Sequence, residues 1–176
     1  VRHLDPLSEG DRDILRELAI KHDFVIYLQA GSPDELEALH PLQPEMLYYE
    51  LPKHNVRVEF QPSDFTQVNP EINRDMLDRA IDFLQLNEND QVLDLFCGLG
   101  NFSLPMARHC AQLTAVEGSS VMVKKARENA AKNNIDNIEF HMADLYSEEI
   151  ATAPWLKKKY NKILLDPPRS GADAVL

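Results

Sequence analysis

Cysteine is scarce in this chain of 176 residues: only Cys97 and Cys110 occur, with neither a C-x-x-C pair nor histidines at ligand spacing near them. That excludes a disulfide framework and a zinc site built on thiolates, and a reduced, cytoplasmic compartment is expected. The six histidines (His3, His22, His40, His54, His109, His141) are scattered, so no metal site is expected. No apolar run approaches the roughly 18 residues needed to cross a bilayer, and no basic-then-apolar leader opens the chain at Val1. Positive charge is also in short supply. Eighteen Lys and Arg stand against 29 Asp and Glu, giving a net charge of −11 and a pI near 4.9. Such a surface opposes nonspecific attachment to phosphate backbones, and weak nucleic-acid affinity is expected of these residues alone. The one basic cluster, Lys157-Lys158-Lys159 with Lys162, reads as a solvated helix end or loop.

What remains is ordinary for a folded domain: 44% hydrophobic and 27% charged residues. Ser8 followed by Asp11 resembles a capping box, and Ile14, Leu15, Leu18 and Ala19 then recur at helical spacing, predicting a helix over Glu9–His22. Phe24–Leu28, Met46–Glu50 and Val56–Phe60 read as short strands, the last two as a hairpin turning at Pro-Lys-His-Asn. Residues 31–44, with three prolines, read as a connecting loop or insertion. Asn69-Pro70 is a helix start, because Asn caps free amides and proline at the first turn loses no hydrogen bond. Ile72, Met76, Leu77, Ala80, Ile81 and Leu84 then share one helical face.

From Gln91 onward strands and helices alternate: 91–95, 101–109, 113–117, 119–133, 138–141 and 162–166. That order means a parallel sheet with helices on its faces, an α/β fold, with a boundary from the preceding α+β part near residues 61–70.

Four strand ends carry the candidate chemistry. Asp94-Leu95-Phe96-Cys97-Gly98-Leu99-Gly100-Asn101-Phe102 is a buried strand running into a glycine turn, where the backbone can approach a nucleotide-like ligand. Ser103 stands where a dinucleotide fingerprint needs its third glycine, which disfavours NAD. Asp94 is expected to face the crevice, where a carboxylate favours a cationic ligand; capping the following turn is the other reading. Glu117 ends the next strand and can accept two ribose hydroxyls, and Asp144 stands where it could meet an adenine amino group or act as a plain loop residue. In Leu164-Leu165-Asp166-Pro167-Pro168-Arg169 two prolines stop the ladder and fix a rigid, extended turn. Arg169, rather than an aromatic residue, follows them.

In these motifs, together with Phe60-Gln61-Pro62-Ser63-Asp64-Phe65-Thr66-Gln67-Val68-Asn69 and Val116-Glu117-Gly118, the chain resembles the RNA uracil-C5 methyltransferases, and among them the bacterial branch that modifies 23S ribosomal RNA. The resemblance covers nearly the whole chain. It implies a class I methyltransferase (Rossmann-like) sheet, truncated at its C-terminus and preceded by a small α+β extension. Residues 1–65 would form the central α+β region and 66–176 the N-terminal part of the S-adenosylmethionine-binding domain. Gln67, Phe96, Asn101, Glu117, Asp144 and Asp166 would be the contacts of S-adenosyl-L-methionine. The implied mechanism adds a cysteine thiolate to C6 of uracil, making C5 nucleophilic, and a carboxylate then removes the C5 proton. Both groups are expected beyond Leu176, so no catalytic residue is assigned here and the fragment is expected to be inactive. Cys97 and Cys110 are read as structural, and Phe65 and Phe102 as core residues. An iron-sulfur cluster and an RNA-binding domain would belong only to a missing N-terminal part. The partner implied for the full-length protein is RNA, 23S rRNA before tRNA. Another class I RNA or DNA methyltransferase, or a non-catalytic binding module of the same fold, are the alternatives.

Overall fold

The computed structural model describes residues 1–31 and 35–172, which form two compact units. The chain passes between them at Leu47/Tyr48, Glu59/Phe60 and Phe65/Thr66.

The first unit comprises Val1–Leu47 and Phe60–Phe65. Helix α1 (Glu9–His22) opens with the predicted box: Ser8 Oγ accepts the Asp11 amide at 3.2 Å, and the Asp11 carboxylate accepts the Ser8 amide at 3.0 Å. The Ser8 hydroxyl, which also donates to the Asp11 carboxylate at 2.6 Å, and then the Ser8 amide hold the exposed Asp11 carboxyl below its usual range. The helix closes at Asp23, in the left-handed region with φ 54°, and the Phe24 amide still bonds the Ala19 carbonyl. This closing turn displaces the predicted strand by two residues. Strand β2 is Ile26–Ala30, flanked in parallel by β1 (Arg2–His3) and antiparallel by β3 (Leu36–His40), while Phe24 and Val25 stay exposed. β3 corrects the reading of 31–44 as a loop: prolines 33 and 41 bracket Leu36–His40 without interrupting it, and residues 32–34 lie outside the described part. Ala19, Ile26, Leu28 and Leu39 form the core with Leu7 and Leu15, whereas Ile14 and Leu18 are exposed.

The second unit contains Tyr48–Glu59 and the chain from Thr66. Strands β4 (Leu47–Leu51) and β5 (Val56–Phe60) pair as the predicted hairpin around a single 3-10 turn, Pro52–His54. Asn69 caps α2 (Pro70–Leu84), its Oδ1 accepting the amides of Glu71 and Ile72 at 3.1 Å each. The inward face of α2 differs from the predicted one: Ile72 is exposed, and Asn73 is buried because Asn101 satisfies its amide.

The hairpin is held to the rest of this unit by polar side chains rather than apolar packing alone. Asn129 and Asn133, one helical turn apart on α4 (Ser120–Lys132) and at its end, address alternate residues of β5. Asn133 accepts the Arg57 amide at 2.8 Å and donates to the Arg57 carbonyl at 2.7 Å; Asn129 accepts the Glu59 amide at 2.9 Å and donates to the Glu59 carbonyl at 3.1 Å. Two carboxamides thus supply the donor and acceptor pattern of a neighbouring strand.

At the turn, buried His54 bonds Asp78 through Nε2 at 2.8 Å and His109 Nε2 through Nδ1 at 3.1 Å, with Lys53 3.1 Å from Asp78 and Arg108 donating to the Asn55 carbonyl. Burial, then the charges of His54 and Lys53, hold the His109 imidazole below its ordinary value. Burial works to raise Asp78, but the hydrogen bonds and charges of His54 and Lys53 outweigh it and keep that carboxyl low. A depressed imidazole binds protons more readily in the unfolded chain. Its stabilisation is therefore full above the unfolded value of about 6.5 and is lost as pH falls through the folded one. The urea midpoint should drop between pH 7.5 and 5, and His109→Gln should flatten that drop; an unchanged slope would remove the histidine pair as its source.

The main sheet is parallel, in the order β8 (Ile138–Met142), β7 (Gln112–Glu117), β6 (Gln91–Leu95), β9 (Lys162–Leu165). Strands β6 to β8 run outward on one side, and β9 then returns to the other flank of β6. The order therefore reverses between β6 and β9, and in open parallel sheets ligands bind in the crevice outside the strand ends at such a point. Leu93, Leu95, Val116, Leu145, Ile150 and Trp155 form the core beneath it, with Phe96 and Leu165 packed on its margin.

Candidate functional site

Strand β6 delivers Asp94, Leu95 and then Phe96, whose φ of 66° places a non-glycine residue in the left-handed region. The amides of Phe96 and Cys97 both donate to the Val116 carbonyl, at 2.9 and 3.1 Å, so this turn is pinned to β7. Gly98 and Gly100 follow with φ of 54° and 93°. A β-carbon at Gly98 would meet nothing within 4 Å, so open space adjoins the backbone there; at Gly100 it would lie 3.0 Å from Leu104 Cγ. The helix after the turn, α3 (Ser103–Ala107), is shorter than predicted and wholly buried.

Glu117, at the tip of β7, is oriented by backbone alone. Its Oε2 accepts the Gly98 amide at 3.1 Å and its Oε1 the Ser119 amide at 3.0 Å. Each oxygen keeps a further lone pair for a ligand hydroxyl.

Asp94 does not face the crevice as expected. It is 1% exposed and accepts a hydrogen bond from Ser103 Oγ, so the reading in which it braces the turn is the one realised. Burial raises its carboxyl to about 7; the Ser103 bond opposes this, and the charges of Asp166 and Glu117 add to it. Ser103, where a dinucleotide fingerprint has glycine, is fully buried against this acid. Asp166 is exposed at the end of β9, its carboxyl raised by partial desolvation. Acidic side chains thus gather around the switch point, with Glu117 and the exposed Asp166 at the strand ends suiting a cationic ligand and Asp94 buried behind the turn.

Phe96 is half-buried, its ring tilted 55° against Tyr146 at 5.8 Å. Asp144 is exposed after β8, and its Oδ1 accepts the Tyr146 amide at 2.9 Å. The Tyr146 hydroxyl lies 2.9 Å from Ser170 Oγ and donates to the Gly171 carbonyl at 3.1 Å, tying the segment after Pro168 to the β8 loop. Tyr146 was not singled out from sequence, although an aromatic two residues past a strand-end Asp is a visible signal. Asn101 is half-buried and hydrogen-bonded to Tyr49 and Asn73. Gln67 is exposed two residues before the Asn69 cap, on a stretch where Phe65 is 78% exposed, correcting the expectation that Phe65 is core; Phe102, at 8%, is core as expected. Lys158 of the basic cluster pairs with Glu139 of β8. Both cysteines are buried, and burial raises both thiols, Cys110 to about 11, against use as nucleophiles. Among the described residues no group of His, Cys, Asp or Glu could hold a metal ion, and no helix is long and apolar enough to cross a membrane.

The doubly wound parallel sheet, its switch point and its glycine turn define a class I methyltransferase domain. The chain belongs to the tRNA (uracil-5-)-methyltransferase family, whose model matches residues 45–176. Among similar sequences, the 23S rRNA (uracil(1939)-C(5))-methyltransferase RlmD of Xanthomonas campestris is 48% identical over the whole chain, and that of Francisella tularensis subsp. novicida is 45% identical over 99% of it. The chain spans 39% of the length of each. Among solved structures, the Pyrococcus abyssi tRNA (uracil-54, C5)-methyltransferase, in complex with S-adenosyl-L-homocysteine, superposes with a TM-score of 0.63 at 22% identity, over 84% of this chain and 35% of that one. The M. jannaschii tRNA m1G37 methyltransferase gives a TM-score of 0.63 at 19% identity, over 94% and 49%. Both show the same fold.

Proposed function

We propose that this chain is the central and cofactor-binding part of a longer enzyme that methylates C5 of a uridine in RNA, 23S rRNA by the similarity above, using S-adenosyl-L-methionine. The observation that carries the reading is the Glu117 carboxylate, fixed by two backbone amides beside an open glycine turn, with the exposed Asp166 carboxylate at the end of β9. A nucleoside bearing a sulfonium and an ammonium suits that arrangement, as a pyrophosphate would not. Glu117 would hold the ribose hydroxyls, Asp144 the adenine amino group, Phe96 an apolar edge, and Gln67, Asn101 and Asp166 the amino-acid end. When bound, the cofactor supplies a methyl group on a cationic sulfur.

The chain's own residues orient this donor and shield it. Both buried thiols are unsuited to attack uracil, so the nucleophile is expected outside these residues. The acidic surface leaves RNA affinity to other parts of the protein, and the two free cysteines accord with a cytoplasmic setting.

Full-length protein given a 23S rRNA transcript and methyl-labelled cofactor should release label as 5-methyluridine on nuclease digestion. Label on another base, or on another atom of uridine, would overturn the proposal.

A further inference from the structure

The Asn101 carboxamide has two acceptor lone pairs and two N–H donors. Its Oδ1 receives both the Tyr49 hydroxyl, at 2.8 Å, and the Asn73 amide nitrogen, at 3.0 Å. Its Nδ2 gives one hydrogen to Asn73 Oδ1 at 2.9 Å. The oxygen is therefore saturated, and one N–H remains.

Each partner is there at a cost that makes a packing role alone a poor explanation. Asn73 is a 4% exposed amide on α2, where helical periodicity favours an apolar side chain, and burying it is tolerated because the reciprocal pair satisfies it. Tyr49 comes from β4, and burial drives its phenol well up, so it stays a neutral donor. The hairpin bearing Tyr49 is anchored to α4 through Asn129, whose Nδ2 also reaches the Leu99 carbonyl inside the glycine turn at 3.4 Å. Hairpin, α2 and turn thus converge on one side chain.

We propose that Asn73 and Tyr49 are positioning residues that fix the Asn101 carboxamide as a pure donor, so that it selects an anionic group, the carboxylate at the amino-acid end of the cofactor. This rests on the reading of Asn101 as a cofactor contact. Freed of its partners, the carboxamide turns over, presents oxygen as readily as N–H, and the preference for a carboxylate is lost.

The test uses full-length protein and two probes, adenosylhomocysteine and 5′-methylthioadenosine, which lacks the amino-acid end. Asn101→Ala should weaken adenosylhomocysteine about tenfold, the scale of a hydrogen bond to a charged group, and leave methylthioadenosine unchanged. Asn73→Ala should reproduce most of that selective loss, and Tyr49→Phe, which removes one atom, a smaller part. If Asn101→Ala is selective but neither partner variant is, the positioning role is wrong. If Asn101→Ala itself changes neither affinity, the assignment of Asn101 to the cofactor fails first. Equal weakening of both probes by Asn73→Ala and Tyr49→Phe marks a merely structural role and overturns the proposal.

Discussion

Glu117→Ala should lower the affinity of the full-length protein for adenosylhomocysteine by about a hundredfold or more. Two ribose hydroxyls donating to a carboxylate are charge-assisted hydrogen bonds, each of about 1.5–3 kcal/mol, and the alanine removes both. It also strips the acceptor from the Gly98 and Ser119 amides, so the turn loses the group that orders it. Glu117→Gln should fall between, because it keeps one acceptor oxygen but sets an NH2 against a backbone N–H. Calorimetry reads both. An affinity within threefold of the parent for Glu117→Ala would show that the sugar is held elsewhere.

Trp155→Ala should cost about 3–5 kcal/mol of folding stability. That is a large share of the roughly 5–15 kcal/mol that holds a domain together. Trp155 lies on a 3-10 turn that sequence patterns do not flag, yet it is 2% exposed and packs with Leu93, Leu95, Val116, Leu145 and Ile150. Its carbonyl accepts the Tyr160 hydroxyl at 2.7 Å, so the turn and the approach to β9 are fixed together. Leu156, its neighbour, is 44% exposed, and Leu156→Ala should change stability by no more than about 0.5 kcal/mol. Urea denaturation of the two variants tests the contrast; a Trp155→Ala loss below about 1 kcal/mol would contradict the packing described.

Signals that act within a few residues were legible in the sequence. The Ser8/Asp11 box, the Asn69-Pro70 helix start and the strand–glycine turn beginning at Asp94 each declare themselves locally, and the alternation after Gln91 implied the parallel sheet. Properties set by distant partners were not. Helical periodicity placed Ile72 inward, but the inward position belongs to Asn73 because Asn101, 28 residues on, satisfies its amide. Phe65 had the composition of a core residue without an element to bury it. Asp94 was expected in the crevice, and only the buried Ser103 hydroxyl nine residues later shows why it turns inward. Among site residues, Glu117 gained most from structure. Sequence could name it, but the two amides that aim it come from within the glycine turn after β6 and from the loop after its own strand.

The central claim is most directly tested by a crystal structure of the full-length protein with adenosylhomocysteine. Both Glu117 oxygens should lie within hydrogen-bonding distance of the two ribose hydroxyls while still accepting the Gly98 and Ser119 amides. A ligand whose sugar lies away from the tip of β7, with Glu117 bonded to protein alone, would contradict the account.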